Sequence, residues 1–113
     1  MTFNPQPKAP KRIVDKDHVS FLHDLECCLS GVRSQIIVHH LLRCPSRQGK
    51  RSGDNHTVPM TDALHKRLHD IEGDELAIFA RYGINDPVAL AEALYANTGD
   101  HSKCIQIIQE ARE

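Results

Sequence analysis

Histidines at the end of a predicted strand and on a predicted helix constrain this fold more than any other feature. Residues 35–39 are rich in β-branched side chains and bounded by polar ones, which predicts a strand. The strand ends in the adjacent pair His39 and His40, and successive side chains of a strand point to opposite faces. A short second strand is predicted at residues 56–59, where Pro59 limits further pairing.

A helix that carries two more histidines follows the second strand. Thr61 is a good N-cap, Asp62 favours the first turn, and Gly73 ends the predicted helix. His65 and His69 then share one face, with about 5–6 Å between their Cβ atoms, which suits two ligands of one metal ion. One histidine of the strand pair could complete the metal sphere while its neighbour acts as a base.

The remaining residues predict an arm and four further helices. Residues 1–16 are rich in proline and basic residues, with little apolar periodicity, which predicts a disordered arm before a domain at 17–113. Asp17 can cap a helix from residue 18 to about residue 27. Further helices are predicted at 74–82 and 86–96, and a last one carries Ile105, Ile107, Ile108 and Ala111. The fold class predicted is α+β.

Composition indicates one small domain with a modest core. The chain has 113 residues, 40% of them apolar, and no tryptophan, so a bound metal would help to stabilise it. It lacks both an apolar run of about 18 residues and the apolar stretch of a signal peptide, so we expect a cytoplasmic protein without a membrane segment. The cysteines form no CxxC pattern and are expected to be reduced: Cys27, Cys28, Cys44 and Cys104.

Charge is distributed unevenly along the chain. Residues 1–53 hold nine Lys and Arg against four acids, whereas residues 54–113 hold five against eleven. The predicted loop between the strands is strongly basic, which suits contacts with phosphates. The alternative is a solvated loop without a partner. Its cations, which are the predicted DNA-binding residues, are Arg43, Arg47, Lys50 and Arg51.

Several segments resemble the ββα-metal core of HNH endonucleases at about residues 34–72. They are Val38-His39-His40-Leu41-Leu42-Arg43, the basic loop, Asp54-Asn55-His56-Thr57-Val58-Pro59 and His65-Lys66-Arg67-Leu68-His69. The chain is also similar to small phage and prophage HNH proteins of the Ref-like type, the recombination-enhancement nucleases. Phe79-Ala80-Arg81-Tyr82-Gly83-Ile84 followed by Asp86-Pro87 extends that similarity, which covers roughly residues 17–96.

The resemblance implies a nuclease with a histidine base. His39, His65 and His69 match the metal ligands, and His40 matches the general base, as in the colicin-type nucleases. The expected reaction is hydrolysis of a DNA phosphodiester, which leaves a 5′-phosphate and a 3′-hydroxyl. A neutral imidazole can take a proton from water at physiological pH.

Other roles follow from the same resemblance. His56 occupies the place of the HNH asparagine and Asn55 directly precedes it; either side chain would brace the loop and orient the base. Arg43 could stabilise charge on the phosphate. The metal is left open between Zn²⁺ and Mg²⁺ or Mn²⁺. The expected partners are DNA and, for the Ref-like group, a recombinase–DNA filament, in a bacterial host cell.

The chain departs from the Ref-like pattern at a second, structural zinc site. Ser30 and Thr61 stand where that group carries cysteine ligands, and Leu64 stands where a histidine often precedes the HxxxH motif. A structural zinc is therefore not expected. The alternative to a nuclease is a non-catalytic nucleic-acid-binding or interaction module that keeps one metal for folding, and a nuclease directed at RNA is a third candidate.

Overall fold

The fold combines a two-stranded sheet with short helices, as expected for the α+β class. The computed structural model describes residues 12–47, 52–72 and 74–112. Along the chain its elements are α1 (Lys16–Leu22), β1 (Ile36–His40), β2 (Thr57–Thr61), α2 (Asp62–Arg67), a π-helical turn (Leu68–Glu72), α3 (Glu75–Arg81), α4 (Pro87–Ala96) and α5 (His101–Ala111). None of the helices in these ranges combines the length and apolar character needed to cross a membrane.

The two strands form an antiparallel pair whose register places the histidines near the mouth of the connecting loop. Val38 pairs with Pro59, His39 with Val58 and His40 with Thr57. The second strand was predicted to end at Pro59, but β2 continues for two more residues and ends at Thr61. Proline lacks a backbone N–H, but its carbonyl remains an acceptor, and it takes a hydrogen bond of 2.9 Å from the N–H of Cys28.

The first helix is shorter than the prediction and begins earlier. Asp15, rather than Asp17, caps α1, because its side chain accepts from the N–H of His18. The helix ends at Leu22 instead of near Cys27. Beyond it the chain turns toward the sheet, since the N–H of Cys28 bonds to β2 rather than to the preceding turn. The predicted arm over 1–16 is described only from Arg12, and residues 12–15 contact the domain.

The later helices start where the cap residues predict. The side chains of Thr61, Asp74, Asp86 and Asp100 each accept a backbone N–H in the first turn of the helix that follows. The predicted helix over 62–72 changes from α to π geometry after Arg67. Its predicted stop, Gly73, lies outside the described residues.

The core is formed by aliphatic side chains, one phenylalanine and thiols packed between the helices and the sheet. The largest fully buried apolar side chains include Leu22, Leu25, Leu41, Met60, Phe79, Leu94 and Ile108. Cys27, Cys28 and Cys104 are buried within it as free thiols. Small apolar thiols of this kind pack as ordinary core side chains.

His18 lies outside the histidine motif and is buried in the fold. Only 1% of its surface is exposed, its Nδ1 lies 2.7 Å from Thr98 Oγ1, and its ring is nearly perpendicular to that of Tyr95, with 4.9 Å between the ring centroids. Burial lowers the pKa of His18 below its usual value of 6.5, although Asp15 and Asp54 act in the opposite direction. The neutral imidazole is therefore part of the packed structure.

We expect His18 to make the folded state less stable in acid. Its folded pKa is lower than its unfolded pKa, so below about pH 6.5 the unfolded chain binds this proton more readily and stability falls. The His18→Gln variant keeps a polar group near Thr98 and should show a smaller loss between pH 7 and pH 5. Urea denaturation of both proteins at several pH values measures the difference. Identical pH slopes would contradict the assignment.

Candidate metal centre and the paired histidines

Three histidines from one strand and one helical segment converge on a common point. His39 comes from β1, His65 from α2 and His69 from the π-helical turn, and one ring nitrogen from each lies within 4.8 Å of the others. The ring centroids are 5.2 Å apart for His39 and His65 and 4.5 Å apart for His65 and His69. This three-histidine group could hold a metal ion, as the HxxxH spacing predicts.

The donor atoms fit a transition metal by chemistry and by distance. The Nε2 atoms of His65 and His69 are 3.1 Å apart. Two nitrogens bound at about 2.0–2.1 Å to one ion are about 2.9 Å apart at a right angle and about 3.4 Å apart in a tetrahedron. Burial is graded, because His39 is buried, His65 is half-buried and His69 is exposed. The group is therefore anchored inside the protein and open toward solvent.

Glu75 holds the ring of His39. Its Oε1 lies 2.6 Å from His39 Nε2, and the same carboxylate accepts the backbone N–H groups of Leu42 and Arg43. Burial opposes ionisation, but the hydrogen bonds from His39, Leu42 and Arg43 outweigh it and lower the pKa of Glu75. The ionised carboxylate accepts the Nε2 proton, which leaves the Nδ1 lone pair of His39 for a metal.

The environment of His65 also favours the form that binds metals. Desolvation, with His39 and His69 as neighbours, lowers the pKa of His65 despite the opposing charge of Asp62. A neutral imidazole is the state that can donate a lone pair to a cation.

His40 points to the other side of β1 and meets a second carboxylate. Its Nε2 lies 2.7 Å from Asp54 Oδ1, and Asp54 also accepts the backbone N–H of Asp15 at 2.8 Å. Arg12 Nη1 is 3.6 Å from Asp54 Oδ1, the oxygen that meets His40. Burial opposes ionisation of Asp54, but the hydrogen bonds from His40 and Asp15 and the charge of Arg12 outweigh it and lower its pKa. The ionised Asp54 thus favours the His40 tautomer whose basic lone pair is on Nδ1.

His56 and Asn55, the two residues expected to orient the base His40, make no hydrogen bond to it among the contacts described. His56 is buried, and its Nδ1 bonds to Ser46 Oγ, while its backbone carbonyl accepts the N–H of Leu41. His56 therefore braces the loop. Asn55 is half-buried, and its Oδ1 has no hydrogen-bond partner among the described residues. Asp54, one residue earlier, is the side chain that meets His40.

The basic loop is described at its beginning. Arg43 has an exposed side chain, and its backbone N–H is held by Glu75. Arg47 donates from Nη1 to the carbonyl of Leu42 at 2.7 Å. Lys50 and Arg51, the other predicted DNA-binding cations, lie outside the described residues. The two described cations stand directly after the strand that carries the paired histidines.

The residues at the positions where the Ref-like pattern has structural zinc ligands lie close together. Cys27 Sγ accepts the N–H of Ser30 at 3.5 Å. Burial raises its pKa, but hydrogen bonds from Ser30, Thr61 and Leu29 outweigh that effect and lower it. Burial raises the pKa of the neighbouring Cys28 well above its usual value. Hydroxyl-bearing Ser30 and Thr61 thus surround one thiol, a weaker donor set for zinc than several thiolates.

Sequence reasoning identified the histidines but missed Glu75 and Asp54. Both are acids at positions that local rules explain otherwise, Glu75 as a first-turn residue of a helix and Asp54 as a loop residue. Neither family models, nor curated proteins, nor solved structures yield a match to this chain.

We expect the Glu75→Gln variant to bind metal more weakly. An amide keeps the size of the side chain but no longer fixes the Nε2 proton of His39 as a carboxylate does, and loss of such a partner typically costs 10–100-fold in affinity. Competition with a chromogenic chelator for Zn²⁺ measures the change. Glu110→Gln is the matched control, because Glu110 is exposed on α5 and lies outside the three-histidine group.

A variant that is partly unfolded would also bind Zn²⁺ weakly, so a melting curve of each protein accompanies its Zn²⁺ titration. Equal Zn²⁺ affinity for the wild type and the folded Glu75→Gln variant would contradict the role of Glu75. Wild-type protein should also gain about 2.7 kcal/mol of stability when free metal is 100 times its dissociation constant. His65→Ala should lose most of that gain.

Proposed function

We propose that this protein is a metal-dependent DNA endonuclease or nickase of the HNH type, with β1, β2 and α2 as a ββα-metal core. The observation that carries the proposal is the convergence of His39, His65 and His69 beside a carboxylate-held His40. Support also comes from the order of the elements, since an antiparallel pair leads directly into the helix that supplies two of the histidines.

The end of β1 is where a phosphodiester would meet both sides of the strand. His39 and His40 are its last two residues, so a backbone phosphate lying across the strand end can approach the three-histidine group and His40 together. Exposed Arg43 and Arg47 follow within a few residues and supply positive charge for the flanking phosphates. A metal ion held by the histidines would stabilise the charge that develops on the phosphate and the leaving oxygen.

His40 acts as the base in this proposal. Its Nδ1 takes a proton from the attacking water while its Nε2 keeps its own proton, hydrogen-bonded to Asp54, so the ring becomes an imidazolium next to a carboxylate. The water oxygen forms the new bond to phosphorus, and the bond from phosphorus to the 3′-oxygen breaks. The leaving 3′-oxygen takes its proton from solvent. The products are a 5′-phosphate and a 3′-hydroxyl.

A second candidate function is a non-catalytic, metal-stabilised nucleic-acid-binding module. The opposite orientations of His39 and His40 favour it, because His39 faces Glu75 and the helix histidines, whereas His40 faces Asp54 and Arg12. A purely structural metal site needs only His39, His65 and His69, so the presence of His40 favours the enzyme over this module.

Nicking of supercoiled plasmid tests the proposal directly. The protein is stripped of metal and assayed with Mg²⁺, Mn²⁺, Zn²⁺ or no addition, beside His40→Ala and the control His101→Ala. We expect metal-dependent nicking that falls by about 10²–10⁴-fold in His40→Ala, while metal affinity and folding persist. His101 is exposed and lies on α5, so its variant should cleave normally. A folded, metal-bound wild type that cleaves no form of DNA would favour the binding module.

Asp54→Asn tests how His40 is positioned. An amide can donate as well as accept, so the ring is no longer held in one tautomer, and the imidazolium loses a neighbouring negative charge. We expect kcat for nicking to fall by about 100-fold, with KM changed less than about twofold.

Two further variants make the Asp54 result specific. Asp54→Glu retains a carboxylate and should recover part of the rate. Asp24→Asn replaces an exposed aspartate and should leave the rate unchanged. A fall in the Asp54→Asn rate that arises wholly from KM would contradict a positioning role.

A further inference from the structure

A pocket of about 410 Å³ opens beside His40 and Asp54, on the side of β1 opposite the three-histidine group. Its remaining walls come from residues 12–16 and from α1. The volume falls within the range typical of small-molecule sites, about 300–1,000 Å³. None of the roles assigned above to the metal group or to the basic loop uses this space.

One wall of the pocket is apolar and accessible. It is formed by Val14, of which 59% is exposed, and by half-buried Val19 on α1. Among the described residues Val14 is the most exposed large apolar side chain. Covering these two apolar side chains with a flat, weakly hydrated group removes them from water, which is favourable.

Two cations, Arg12 and Lys16, also line the pocket, and they differ in how they are held. Arg12 is fixed, because Nη1 donates to the carbonyl of Ser52 at 3.2 Å and lies 3.6 Å from Asp54 Oδ1. Lys16 is exposed in the first turn of α1. A cation on a long mobile side chain beside an apolar wall suits a ligand with a phosphate at one end and an aromatic ring at the other.

We propose that this pocket binds one unpaired nucleotide of single-stranded DNA. The base lies against Val14 and Val19, and its phosphate meets Lys16 and Arg12. The adjacent phosphodiester then lies at His40, which shares the pocket wall with Asp54. A base within a duplex cannot enter, since its faces are stacked and its edge is paired, so the pocket selects an unpaired strand. The inference deepens the proposed function and rests on it for the role of the adjacent phosphodiester.

Blocking the pocket with an aromatic side chain tests the binding. Ser20 lines the pocket on α1 and is exposed, so Ser20→Phe fills the space without disturbing the core. Ser102→Phe is the matched control, because Ser102 is also exposed and lies on α5, outside the pocket lining. Binding of a fluorescein-labelled thymidine oligonucleotide of about 12 residues is followed by anisotropy in metal-free buffer. We expect about tenfold weaker binding for Ser20→Phe and no change for Ser102→Phe.

A second pair of variants tests the phosphate contact. Lys16→Gln should lower the slope of log affinity against log salt by about 0.7, the contribution of one phosphate contact on a single strand. Lys103→Gln, which removes an exposed lysine from α5, should leave the slope unchanged. Wild-type protein should also bind the single strand more tightly than the same sequence in a duplex.

The binding assay and the nicking assay separate the two proposals. If the wild type nicks DNA but Ser20→Phe binds the oligonucleotide as tightly as Ser102→Phe does, the pocket proposal is overturned and the nuclease stands. If Ser20→Phe loses binding but no protein cleaves with any metal, the nuclease fails and the pocket remains a nucleotide site. Equal affinity for single-stranded and duplex DNA also overturns the pocket proposal, as does tighter binding of the duplex.

Discussion

The candidate site depends on the buried interaction between Glu75 and His39. A buried carboxylate is costly unless its oxygens are satisfied, and here they accept from His39, Leu42 and Arg43. These bonds tie the end of β1 and the start of the basic loop to the first turn of α3. They also determine which nitrogen of His39 faces the helix histidines. One side chain therefore sets the position of the strand end and the chemistry of its histidine.

Asp54 plays the corresponding part on the opposite side of the strand. It joins His40 to the backbone of Asp15 and to Arg12, groups that are 39 or more residues away from it in the chain. Because one carboxylate serves both partners, the orientation of His40 is coupled to the position of residues 12–15. The strand thus separates two histidine–carboxylate pairs, one buried in the candidate metal centre and one lining an open pocket.

The sequence predicted the elements and the histidines better than the contacts between them. Helix starts at Asp86 and Thr61, and the strand bearing His39 and His40, follow from local rules of capping and β-branching. The π-helical turn, the early end of α1 and the burial of His18 depend on packing between distant segments, which periodicity does not encode.

The same limit explains what was missed in the site. His65 and His69 are four residues apart, so helical geometry alone brings them together. Glu75 meets His39 across 36 residues, and Asp54 meets His40 across 14. Partners that are this distant in the chain can be identified only from the folded structure, in which the loop between the strands and the later helices bring them together.

The change from α to π geometry after Arg67 places the three histidines of the candidate metal centre in different local environments. His39 is locked by a buried carboxylate, and His65 lies in regular α-helix, whereas His69 is exposed and belongs to the widened turn. Single π turns are a recurrent departure from helical regularity at functional sites. Adjustment to ions of different radius would therefore fall on His69, while the strand side of the cage keeps its shape. His69 is also the most exposed of the three candidate ligands, on the side from which an ion would enter and leave.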